Sequence, residues 1–171
     1  MGTGLTGGLY RLLLLLHILC VVLGFGAVSF NGLYRVRARQ RGGEAELVLL
    51  EENAYVTRTA EFLIYGVFVF GILVALTSKK AWEFSQSWLS VAMLLYLIEI
   101  GVVHGVIHRS ERQYKTLLGQ VNAAGPGGRP PEVTQLEQLE KRIRMAWNGF
   151  NLVFLVILYL MVFTPGQVRA G

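Results

Sequence analysis

The sequence predicts an all-α fold: an integral membrane four-helix bundle with cytoplasmic helical extensions. Four long apolar runs, at 12–34, 60–76, 88–107 and 145–163, are the first observation behind that expectation. Each comes close to the about 20 residues that a helix rising about 1.5 Å per residue needs to cross a hydrocarbon core. The second is composition. Mean hydropathy is +0.48 with only 16% of residues charged, so the 171 residues form a single membrane domain with no room for a separate soluble core. The third is the placement of the charges.

Of the 16 basic residues, 12 lie in two connections. Arg35, Arg37, Arg39, Arg41 and Arg58 follow the first run, and Arg109, Arg112, Lys115, Arg129, Lys141, Arg142 and Arg144 follow the third. The other four, Arg11, Lys79, Lys80 and Arg169, fall at the opposite surface. The positive-inside bias therefore predicts a multi-pass protein of the cytoplasmic (inner) membrane with both termini outside. It also disposes of a nucleic-acid partner, since the net charge of +5 is spent flanking the spans. Trp82 and Trp88 then fall at the outer interface and Trp147 at the inner one, where indoles prefer to sit.

The first run is too long for a signal-peptide core and is followed by four arginines, a stop-transfer pattern, so it reads as a true span. Its single Cys20 allows no intramolecular disulfide. Gly42-Gly43 breaks the helix, and a second one starts near Glu44 and runs into the membrane at Ala60. A short turn, Thr77 to Ser87, leads to the third run. The stretch from Ala123 to Pro131, rich in Gly and Pro, is the one clear linker. A fourth helix restarts there, with Pro131 suited to a first turn and Thr134 and Glu137 at capping-box spacing. Beyond it, Glu137 and Lys141, and Glu140 and Arg144, form i,i+4 pairs on a polar face, while Leu136, Leu139 and Ile143 line the other.

Polar residues inside spans are the candidate functional residues, because they are costly there and usually face the interior. Counted from the flanking basic residues, Asn31, Glu61, His104, Asn148 and Asn151 each lie roughly 5–10 Å from the cytoplasmic edge, one intramembrane polar layer to which all four helices contribute. Such a layer suits a hydrogen-bonded knot, a water-filled vestibule or the wall of a ligand site. His104 and His108 stand one turn apart, with Gly101 and Gly105 on the same side. Two histidines at that spacing suit one zinc ion when a carboxylate such as Glu61 or Glu111 completes the set. They do not suit the two axial positions of one haem. His17 lies roughly 9 Å below the outer edge as the only strongly polar residue of its half-span, and Glu99 is the other isolated ionisable group.

The layout Leu13-Leu14-Leu15-Leu16-His17-Ile18-Leu19, then Gly24-Phe25-Gly26 and the arginine-rich end at Arg35, resembles an uncharacterised bacterial family of predicted four-span integral membrane proteins. It is also similar to the first helix of copper-resistance-D-type proteins and of HemJ-type protoporphyrinogen oxidases. In the HemJ-type family the first-helix histidine is associated with haem, so that resemblance implies a b-type haem held by His17. The residues themselves contain no zinc-protease motif, phosphate loop or nucleophile elbow. The expected function is thus a structural or accessory subunit of a larger membrane assembly, with the lipid bilayer and other membrane subunits as partners. The alternative is a redox-linked haem protein using His17. Transport fits less well, since no inverted repeat is visible.

Overall fold

The computed structural model describes residues 7–79, 81–125 and 130–163. Lys80, Arg169 and positions 126–129 of the expected linker lie outside the described residues. Among the described residues there is no strand, and four helices are long and apolar enough to cross a membrane: Gly8–Arg41, Gly43–Thr77, Ser87–Ala124 and Pro131–Phe163. Each outlasts its apolar run at the charged end, as the amphipathic extensions predict.

The first helix is not uniform. It comprises α1 (Gly8–Cys20), a π-helical segment (Val21–Phe25), α2 (Gly26–Ser29) and α3 (Asn31–Arg41). The wide turn frees backbone acceptors, and the Ser29 hydroxyl donates to the Phe25 carbonyl at 2.7 Å. Left-handed φ values of +65° at Gly42 and +57° at Gly43 mark the break that the glycine pair predicts, since a Cβ there would clash with the backbone. Next comes α4 (Gly43–Thr77), unbroken over 35 residues. In the following turn the Ser78 hydroxyl donates to the Ala75 carbonyl at 2.7 Å and accepts the Trp82 amide at 3.0 Å. The third helix comprises α5 (Ser87–Val102), a second π segment (Val103–Ile107) and α6 (His108–Ala124). The last, α7, spans Pro130–Phe163.

Packing divides the chain into two compact units, Met1–Ser29 with Tyr55–Leu94 and Ile157–Gly171, and Phe30–Ala54 with Leu95–Val156. In the first, α1 and its π segment pack against α4 along small residues. A Cβ on Gly24 would stand 3.1 Å from the Ile64 amide nitrogen, one on Gly66 would stand 2.9 Å from Cys20 Sγ, and one on Gly71 would stand 3.1 Å from His17 Cε1. Close approach of this kind is how membrane helices associate without a hydrophobic driving force between them. Opposite the seam, Leu12, Leu15, Ile18, Val22, Phe62, Val69 and Leu76 are exposed, an apolar surface that suits lipid and not water. Near the turn the Trp82 indole donates to the Tyr10 hydroxyl at 3.1 Å, and its ring meets Trp88 edge-on at 5.8 Å.

The second unit has a different interior. Ile107, Ile143, Trp147 and Phe150 form its apolar centre, but Asn31, Arg35, Glu46, Asn53, Glu99, Ser110 and Glu140 are buried with them. Buried charge at that density must be paired or be costly. It directs attention to the pairing.

Candidate functional site: a buried arginine network

Arg35 is the hub. It projects from α3 with only 6% of its side chain exposed, in a face where Asn31, Arg35 and Ala38 recur at helical spacing and are all buried. Its Nη2 donates to Glu140 Oε2 of α7 at 2.6 Å, and its Nη1 lies 3.8 Å from Glu111 Oε1 of α6. The guanidinium carbon stands 4.9 Å from the ring centroid of Tyr114, also on α6, a cation–π distance. Glu111 accepts a further hydrogen bond from the Trp147 indole at 3.3 Å. Tyr114 in turn donates to Glu46 Oε1 of α4 at 2.6 Å. All four chain-spanning helices thus supply a member of one network.

Each partner answers a desolvation penalty. Arginine suits the hub because its planar fork reaches two carboxylates and an aromatic face together, which a lysine ammonium does not. Two carboxylates flank the guanidinium and a third, Glu46, meets Tyr114, so the hydroxyl of Tyr114 and the indole of Trp147 serve as neutral donors to Glu46 and Glu111. Burial above all, then the adjacent Glu46 carboxylate, pushes the Tyr114 hydroxyl up from the ordinary phenol value, so it remains a donor throughout the physiological range. The arrangement can lock helix register.

The sequence reading missed this network because it assigned Arg35 to the positive-inside set and paired Glu140 with Arg144 on an exposed face. In the structure Glu140 is turned inward, with Leu136, Ile143 and Trp147 buried on the same face. The signal was present: 136, 140, 143 and 147 recur at helical spacing, as do 31, 35 and 38, and only the rule that charge marks the outside hid it.

The expected site residues lie as follows. Asn31 is 1% exposed, Glu61 and Asn151 are half-buried, and His104 and Asn148 are exposed. The His104 and His108 rings are 5.2 Å apart at 46°, the first within the π segment Val103–Ile107 and the second just after it, and His104 Nδ1 donates to the Ile100 carbonyl at 3.1 Å. π segments of this kind often occur where a helix carries function. Glu99 is 3% exposed. His17 is half-buried, and its Nδ1 lies 2.9 Å from the Val67 carbonyl oxygen. A carbonyl only accepts, so Nδ1 carries a proton in this bond.

Residues 11–165 match the model of a family described as "Predicted integral membrane protein (DUF2269)". No curated protein and no solved structure matches the chain. The chain belongs to this family of integral membrane proteins.

Proposed function

We propose that this member of the family is a structural or accessory subunit of a larger membrane assembly, seated against a partner helix through the third-helix face that carries Gly101, His104 and Gly105. One observation carries the reading. Gly101 and Gly105 stand four residues apart, both exposed, with nothing within 4 Å of where a Cβ would sit, and the exposed His104 ring lies beside them. Small residues at that spacing let two membrane helices approach closely. Lipid does not reward such a notch. Gly24, Gly66 and Gly71, by contrast, are met by side chains or backbone of this chain itself.

Extraction in native-lipid particles followed by mass measurement tests this. The expected particle contains a second, different polypeptide beside the 19.0 kDa chain, and Gly101→Leu with Gly105→Leu removes it. A chain that is alone, or associated only with copies of itself, would sink the proposal.

A second reading, haem binding by His17, has one specific support. A ligating histidine usually donates its other ring N–H to a carboxylate or a backbone carbonyl, and the Nδ1 to Val67 bond matches that arrangement with Nε2 as the ligand atom. Resemblance to the HemJ-type first helix points the same way. Bound there, haem would be held by His17 and would supply one-electron chemistry, while Gly71 leaves room for the His17 imidazole. The visible spectrum of the same particles decides, since this reading requires a Soret band that His17→Ala abolishes.

A further inference from the structure

Between α6 and α7 of the second unit lies an open groove of about 710 Å³ whose lining contains two arginines, four glutamines and no carboxylate. Arg112 and Arg142 are its only charged members, although Glu111, Glu137 and Glu140 are close in sequence. An acidic neighbour would neutralise an anion site, and here none enters the lining.

The lining is also graded along the groove. With Ile107 and Met145 as span limits, Arg112 lies about 7.5 Å and Arg142 about 4.5 Å beyond the hydrocarbon edge at 1.5 Å per residue. The headgroup layer of one leaflet is about 5–7 Å deep, so both guanidinium groups lie at the level of lipid phosphates. Gln113 and Gln138 come next, and Gln120 and Gln135 lie about 15–20 Å out on the same count. Arginine matches a phosphate diester with paired N–H donors. Primary amides, each both donor and acceptor, match hydroxyl groups and do not repel a neutral polyol.

We propose that this groove binds an anionic phospholipid with a polyol headgroup, its phosphate held between Arg112 and Arg142 and its hydroxyls hydrogen-bonded to Gln113 and Gln138. The glycerol headgroup of phosphatidylglycerol is the simplest ligand of that chemistry. A zwitterionic headgroup places a cation where the groove offers two arginines and no carboxylate, and is disfavoured.

The test is native mass spectrometry of the full chain released from bilayers of equal phosphatidylglycerol, phosphatidic acid and phosphatidylcholine. The wild type retains phosphatidylglycerol over both others. Arg112→Gln with Arg142→Gln lowers that retention by about tenfold, in keeping with the contribution of a basic residue near an anionic surface. Lys115→Gln with Lys141→Gln, the same change in charge outside the lining, leaves it within about twofold. Gln113→Ala with Gln138→Ala removes the preference for phosphatidylglycerol over phosphatidic acid while both stay bound. Both arginines and both of these glutamines are exposed, so the variants keep the helical fold, which circular dichroism checks. Equal losses in the arginine and lysine pairs would mean a diffuse surface field and overturn the proposal. So would retention unchanged by the arginine pair, or displacement of the lipid by soluble glycerol 3-phosphate.

Discussion

Arg35→Ala destabilises the protein by about 3–5 kcal/mol, the largest effect expected of any single substitution outside the helix seams. The cost arises from what remains. Glu140, 12% exposed at its side chain, and Glu111, 17% exposed, lose their cation and are left as partly desolvated carboxylates. The ring of Tyr114 loses the guanidinium that covers it at 4.9 Å. Arg35→Lys recovers only part of this, because an ammonium reaches Glu140 or Glu111 but does not fork between them. Arg35→Met with Glu140→Leu removes both the charge and its main partner, and such apolar replacements are often near neutral. The double variant is therefore more stable than Arg35→Ala, as read by thermal unfolding of both in the same detergent. If Arg35→Ala costs under about 1 kcal/mol, water reaches the network and it does not fix helix register.

Gly24→Ala is the second large effect, at about 1–3 kcal/mol. The added methyl would lie 3.1 Å from a backbone nitrogen of α4 and 3.2 Å from Leu63 Cβ, so neither neighbour yields without moving the helix. Gly66→Ala clashes only with the Cys20 thiol, at 2.9 Å, its other neighbours standing at 3.8 Å. Removing that thiol opens the space, so Cys20→Ala restores most of the stability that Gly66→Ala loses, and the two changes are strongly non-additive. Gly24→Ala gains nothing from Cys20→Ala. Simple additivity at Gly66 and Cys20 would show that the two helices do not meet there.

The helices were legible in the sequence because hydrocarbon thickness dictates their length. The four apolar runs, the Gly42-Gly43 break and the long second helix all stand where hydropathy and backbone sterics put them. The π segments at Val21–Phe25 and Val103–Ile107 were not legible, since one extra residue in a turn leaves no compositional trace. The arginine network was hidden for a different reason. A basic residue after a span carries two messages, orientation and pairing, and topology rules read only the first. Arg35 differs from Arg37 and Arg39 in sharing a helical face with Asn31 and Ala38, and that periodicity was the available clue. Polarity within a span, conversely, does not fix direction: Asn31 is buried and Asn148 exposed, although counting puts them at one depth.

A photo-crosslinking side chain placed in turn at positions 101, 105 and 155 of the protein in its native membrane tests the docking face most directly. Leu155 is 61% exposed on α7 and serves as a lipid-facing reference. The proposed assembly predicts crosslinks to one other polypeptide from 101 and 105, and only lipid adducts from 155. Lipid adducts alone from all three positions would contradict it, and would leave the third helix facing the bilayer with its glycines uncovered.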